Sequence, residues 1–431
     1  MTSGPDKAMI YRRWAWLFLT LICAVSIIGI AVPAGLGWDF ANFYDAGRRA
    51  AAGQYADLYS PLSAIDGRPP QGSTGFFGAP LSAFFYAPLA GFQPATALAV
   101  FKFQNVLALG TTFGLLLGFY RPFVSRSVLE PWRFTALFAF LCLIYQPFWT
   151  IFRVGGQTTP TVLLLLTMGL IAHTKGRFWT SAMCVLGAGL IKPSLAPAIL
   201  LLGCVSGVAY LWRTAALWTA TGALSLLIMG WPVHAVFLEN MIYRSQLKYS
   251  WFYNSSLEVL FITLREYFGQ AAATGVLNLT LISVTYALRG AVVLTLLWLA
   301  LRARRAPVVA AARRHLEFSL MMVFYIVWSP TLYEHYLSLL FPFLVYVVAT
   351  NNHFSRQALV LVALIFIFAI GQNLIFINWI RYGFELNSLP ELVGIALFKS
   401  APVSLTMVLL WLHGRELIQS HSAPEWMRYE A

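Results

Sequence analysis

The chain has 431 residues; 59% are hydrophobic, only 10% are charged, and the formal net charge is +13. A soluble globular domain carries roughly 25% charged residues, so a water-soluble fold of this length is excluded. An excess of basic residues can mean a nucleic-acid partner, and its distribution along the chain decides whether it does here.

Apolar runs at 14–33, 276–301 and 357–376 reach or approach the roughly 20 residues that cross a ~30 Å hydrocarbon core as a helix. Helices satisfy every backbone group internally, and the alternating pattern of a membrane barrel is absent. The fold class is therefore all-α and polytopic. Spans are predicted near 14–34, 97–119, 134–152, 159–173, 178–191, 194–211, 214–233, 274–300, 316–330, 336–350, 357–377 and 391–412, about twelve crossings. With the amino terminus in the cytoplasm, Arg12, Arg13, Arg121, Arg126, Arg133, Lys175, Arg177, Arg213, Arg302, Arg304, Arg305, Arg313, Arg314, Arg356 and Arg415 all fall on that side. This is the positive-inside pattern; the basic charge reports topology, and no nucleic-acid partner is expected. Spans 178–191 and 194–211 are short, and read as two crossings broken at Lys192-Pro193, because a single one would send 302–314 outside. The first span exceeds the usual 7–15 apolar residues of a signal peptide and reads as uncleaved.

Cys23, Cys142, Cys184 and Cys204 fall inside spans without metal-ligand spacing and read as packing residues. The whole chain, 1–431, reads as one transmembrane domain of the cell membrane with both termini cytoplasmic. It carries a long outer loop at 35–95 and a polar cytoplasmic tail at 413–431.

The outer loop holds Asp39, Asp45, Asp57 and Asp66. Asp39 directly follows the membrane edge, among Trp38, Phe40, Phe43 and Tyr44. A carboxylate among aromatics can serve as a base near neutral pH, although Asp39 could equally cap the helix that begins at Phe40. Asp45, Asp57 and Asp66 read as solvated or turn residues. The stretch 42–52 reads as a short amphipathic helix ended by Gly53, and 76–92 as a Pro-punctuated segment too broken to span. Both suit helices lying in the interface plane, where an enzyme meets a lipid-linked substrate.

Further along, Gly155-Gly156-Gln157-Thr158-Thr159-Pro160 follows Arg153 as a tight polar turn between spans. Lys192 lies at a helix break, where a charge at membrane depth is normally paired or lines a functional cavity, unless it snorkels to the interface. The outer loop at 234–257 adds Arg244, Lys248 and Asn254-Ser255-Ser256. Of seven histidines, only His234 and His335 fall on the outer side, and His335 sits with Glu334 in the polar break that follows Ser329-Pro330. No HExxH, no His/Asp cluster with ligand spacing and no Ser/His/Asp order is readable, so neither a metal nor a cofactor is expected.

These residues, taken in order, resemble the polyprenyl-phosphate-mannose-dependent mannosyltransferases of glycosyltransferase family 87, enzymes of the type C glycosyltransferase fold. The matching pieces are Trp38-Asp39-Phe40, Tyr44-x-Ala46-Gly47, Gly53, Leu58-Tyr59, Tyr86-Ala87-Pro88-Leu89, Gly156-Gln157, Lys192-Pro193, Asn254-x-Ser256-Leu257, and Ser329-Pro330 with His335. The resemblance implies a hexosyltransferase that moves one hexose, typically mannose, from a polyprenyl monophosphate to a lipid-linked or cell-envelope glycan with inversion. It implies Asp39 as general base and His335 near the donor phosphate. Lys192, Arg153 and Arg244 join His335 as candidate phosphate ligands; Tyr44, Gln157, Asn254 and Glu334 are candidate substrate contacts. The sequence has Glu334-His335-Tyr336 where many relatives carry paired histidines, so the division of labour between Glu334 and His335 is open. The rival class is a secondary transporter or lipid-linked-sugar flippase, which the long first outer loop and the lack of matching halves disfavour.

Overall fold

The computed structural model describes residues 38–61, 75–124, 131–154, 156–246, 254–268, 276–306, 308–329, 332–350, 356–382 and 388–419. Among them every regular element is helical. Expectations that fall on the span at 14–34, on Asp66 and on residues 420–431 lie outside the described residues.

The chain enters with α1 (Trp38–Ala51), which starts two residues earlier than the sequence suggests and takes Asp39 into its first turn. Gly53, in a left-handed conformation with φ +70°, follows it. Short 3₁₀ turns cover Tyr55–Asp57, Pro80–Phe85 and Ala87–Gly91, the last two with a proline at their start, where the missing N–H has no intrahelical partner to lose. The bundle then comprises α2 (Pro94–Tyr120), α3 (Pro131–Ile144), α4 (Gln146–Val154), α5 (Thr159–Thr174), α6 (Phe178–Ile191), α7 (Ala196–Ser206), α8 (Val208–Met229) and α9 (Trp231–Gln246). It continues with α10 (Val259–Tyr267), α11 (Val276–Arg305), α12 (Ala310–Trp328), a 3₁₀ turn at Glu334–Leu340, α13 (Phe341–Ala349), α14 (Arg356–Tyr382) and α15 (Leu389–Gln419).

By length and composition α2, α11 and α15 can each cross a membrane, and α8 with α9 makes a fourth candidate, bent by 119°. The other apolar helices are shorter, so a helical membrane protein is what the elements support, and the count of crossings is left at these few. The predicted span at 134–152 is two helices broken at Tyr145, and 194–211 is interrupted at Gly207, φ +95°. Much of the expected loop at 234–257 is helix α9 instead. The bend before it is fastened by His234, whose Nδ1 donates to the Gly230 carbonyl at 2.7 Å while Nε2 accepts from Ser225 Oγ at 2.8 Å. The last helix runs on through Gln419, past the point at which a polar tail was expected, with His413 buried.

The main core forms around α12, which is buried along almost its whole length and packs on α5, α7, α11 and α15. A second, smaller core consists of aromatic rings between α1, the first loop and α2: Phe40, Phe43, Phe76, Tyr86 and Phe101, with Phe43 and Tyr86 stacked at 4.9 Å. Gly47 lets α1 lie directly on the backbone of Tyr86, since a Cβ there would overlap that carbonyl. Cys142 and Cys184 are buried packing residues as expected, whereas Cys204 is exposed on the outside of the bundle and packs into no core; Cys23 lies outside the described residues.

Candidate active site

Asp39 sits in the first turn of α1, where the N-terminal end of the helix favours a carboxylate. Its Oδ2 accepts a hydrogen bond from Gln157 Nε2. Gln157 is brought there by Gly156, which has φ +96° and lies so close to Phe40 that a Cβ would overlap it. The Gln157 carbonyl is held in turn by Asn105 Nδ2 of α2 at 2.9 Å. Of the polar turn read at 155–160, Gln157 sets an amide against Asp39, while Thr159 and Pro160 already form the first turn of α5.

Lys192 occupies the break between α6 and the Pro193–Leu195 turn. Its Nζ lies 3.1 Å from the centre of the Tyr336 ring, a cation–π contact. Burial disfavours the charged form of Lys192, which the Asp39 carboxylate partly restores, and burial followed by the Lys192 charge disfavours a second proton on His335. The first loop is fastened to the same place: Ala79 N–H donates to the Leu190 carbonyl at 2.9 Å. The imidazole of His335 contacts both Tyr333, parallel at 5.7 Å, and Tyr336, edge-on at 4.2 Å. It is 4% exposed, and its Nε2 is buried with no hydrogen-bond partner among the described residues. A buried ring nitrogen left unbonded is costly, and here it is an open position for a ligand atom.

The structure thus draws Asp39, Gln157, Lys192 and His335 into one electrostatically connected group. Other candidates have different surroundings. Glu334 is ion-paired at 3.0 Å with Lys399 of α15. Tyr44 is buried and its hydroxyl donates to the Phe92 carbonyl at 2.8 Å. Asn254 is fully buried, and its Oδ1 accepts from Ser256 N–H at 2.9 Å and Leu332 N–H at 3.0 Å, tying 254–256 to the strand of chain before Glu334. Arg153 and Arg244 lie near the ends of α4 and α9, and their side chains are outside the described residues. Asp45 is not solvated: it is 3% exposed and paired with Arg49 at 2.8 Å, and Arg49 also donates to the carbonyls of Asp57, Ser60 and Pro61.

The sequence reading missed Gln372 and Lys399, both buried and both in the last two helices. A lysine inside an apolar span was the available signal for Lys399, because intramembrane charge is rarely structural ornament. Glu258 and Arg289 form a second buried ion pair nearby in sequence to Asn254.

Fold and site together define a helical membrane protein that collects a carboxylate, a lysine and an imidazole at one end of its bundle. The sequence model of glycosyltransferase family 87 matches residues 76–330, more than half of the chain. The chain belongs to glycosyltransferase family 87 and is a glycosyltransferase, which sets the transporter alternative aside. The match includes Gln157, Lys192 and Asn254, while Asp39, His335 and Lys399 lie beyond its two ends. No curated protein matches the chain.

Proposed function

We propose that this glycosyltransferase moves a hexose, mannose being the family's typical sugar, from a polyprenyl monophosphate to a hydroxyl of a lipid-linked or cell-envelope glycan, with inversion. In this reading Asp39 accepts the proton of the acceptor hydroxyl as its oxygen bonds to the anomeric carbon. The bond from that carbon to the phosphate oxygen breaks in the same step, and the polyprenyl phosphate departs with the electron pair. Gln157 holds the Asp39 carboxylate at a fixed angle, so little reorganisation accompanies proton transfer. Lys192 and the open Nε2 of His335, when protonated, stabilise the charge that grows on the departing phosphate. Arg153 and Arg244 extend the phosphate site. Glu334 contacts the sugar, Gln157 the acceptor, and Tyr44 and Asn254 shape the walls around them.

The observation that carries this reading is geometric: Lys192 Nζ lies over the Tyr336 ring, against which the His335 imidazole also packs, yet Lys192 forms no ion pair among the described residues. Glu334 and Glu258 have cations of their own, in Lys399 and Arg289. A cation kept without a fixed counter-ion beside a base is suited to a transient anion such as a phosphate monoester. The enzyme spans the cell membrane about a dozen times as one domain with both termini cytoplasmic, the site facing outward, and α1 with the 3₁₀ turns lying in the interface.

The test is transfer by the purified enzyme in detergent from polyprenyl-phosphate mannose to an extracted envelope glycolipid acceptor, with nucleotide-activated mannose as the competing donor. Product from the lipid-linked sugar alone supports the reading; product from the nucleotide sugar alone overturns it.

A further inference from the structure

The segment that carries His335 is gripped from both sides. Upstream, Leu332 donates its N–H to Asn254 Oδ1 at 3.0 Å and accepts at its carbonyl from Ser255 N–H at 2.7 Å. Ser255 Oγ donates at 2.8 Å to Oε1 of Gln372 in α14, and Gln372 Nε2 donates at 2.8 Å to the Lys399 carbonyl in α15. From that same residue Lys399 Nζ reaches Glu334 Oε1 at 3.0 Å. The contacts close a ring, 332–254–255–372–399–334, and every side chain in it except Glu334 is buried at 1% exposure or less. His335, the next residue, is left with its Nε2 open.

Such a ring is costly to place in an apolar bundle. Lys399 lies within a helix long and apolar enough to span, where a charge persists only with a compensating role. Packing alone does not require it, since a buried ion pair replaced by apolar groups of similar volume is often no less stable. What the ring does achieve is geometric and electrostatic. It fixes the backbone on the upstream side of the imidazole, and it neutralises Glu334, a carboxylate one residue from a group that must meet a phosphate.

We propose that Lys399 is a positioning residue for glycosyl transfer: through Glu334 it sets the turn that presents His335 Nε2 and cancels the negative charge that would repel the donor phosphate. The inference rests on the reading of His335 as a phosphate ligand. It extends the working machinery into the last helix, which lies beyond the residues matched by the family.

The experiment measures donor and acceptor kinetics for Lys399→Met, Lys399→Arg, Glu334→Gln, the double variant Glu334→Gln/Lys399→Met, and His335→Ala. Lys399→Met leaves Glu334 charged and unpaired, so its efficiency with the lipid-phosphate donor falls about tenfold or more while the acceptor KM barely moves. Arginine restores most of the loss. In the double variant, removing the lysine costs less than about threefold beyond Glu334→Gln alone, because the charge it answers is gone. Equal losses from removing Lys399 with and without Glu334 overturn the proposal, as does a folded, fully active Lys399→Met. If Lys399→Met fails to accumulate, the arginine variant and the double variant decide in the same way. A fully active His335→Ala overturns the phosphate-site reading itself, whereas an impaired His335→Ala beside an unimpaired Lys399→Met removes only the role of Lys399.

Discussion

Two aspartates in the same helix, Asp39 and Asp45, are held in opposite ways, and their substitution separates chemistry from folding. Asn at position 39 keeps the shape and an oxygen for Gln157 Nε2, but an amide cannot take a proton at neutral pH. General-base assistance contributes about 10²–10⁴-fold, so Asp39→Asn loses at least about a hundredfold in transfer with its melting behaviour unchanged. Asp45 instead meets the Arg49 guanidinium at 2.8 Å, both side chains at least nine-tenths buried. Breaking a buried pair from one side costs about 3–5 kcal/mol, so Asp45→Asn melts earlier and keeps most of its turnover in the folded fraction. Parallel thermal-shift and transfer assays check the crossing; stability loss at 39 with activity loss at 45 reverses the assignment. At Lys192, replacement by Met keeps the length of the side chain over Tyr336 and removes the charge. Donor use weakens by about tenfold or more while insertion is unaffected, and an unimpaired Lys192→Met assigns the lysine to snorkelling.

At the scale of elements, the site is assembled by close approaches that only glycine permits. Gly156 combines φ +96° with a Cβ position already filled by Phe40, so Gly156→Ala must both strain the backbone and push Gln157 away from Asp39. The expected result is a protein with retained helix content by circular dichroism and transfer reduced at least about tenfold; wild-type turnover refutes the dependence of the Asp39 geometry on this turn. Elements bounded by punctuation were legible in the sequence. The apolar segment predicted at 178–191 coincides with the limits of helix α6 because Lys192-Pro193 ends it, and α5 begins at Thr159, the start of the predicted segment 159–173. Elements whose direction changes inside an apolar run were not. The run through 214–233 carries no information about orientation, so the 119° bend at Gly230 and the helix α9 beyond it went unread. Of the site, Asp39, Lys192, Gln157 and His335 stood out as polar residues at breaks. Gln372 and Lys399 were hidden by the apolar windows around them, and the Asp45–Arg49 pair by its exposed-looking loop, though its i,i+4 spacing was a signal.

For the whole molecule, the structure sets the two ends of the bundle apart, and the arginine pattern says which way they face. Helix α12 has 19 residues, from Ala310 to Trp328, so it rises about 28 Å and places Ala310 roughly a hydrocarbon thickness from Ser329 and the turn of His335. Helix α5 runs the opposite way: it starts two residues after Gln157, the partner of Asp39, and carries in its last turn His173, which meets Glu317 of α12 at 3.3 Å near the Ala310 end. Arg302, Arg304, Arg305, Arg313 and Arg314 cluster at that end of the chain path, which the positive-inside rule puts in the cytoplasm. The proposal that follows is that Asp39, with the loop after α1, faces outward. The prediction is checked with single cysteines at Ser63 and Ala310 in a background freed of Cys23, Cys142, Cys184 and Cys204. On the proposed topology a membrane-impermeant maleimide is expected to label position 63 and spare 310 in intact cells, and to label both once the membrane is opened. Labelling of 310 but not 63 in intact cells inverts the topology, places the site among cytoplasmic nucleotide sugars, and removes the reason for a polyprenyl-phosphate donor.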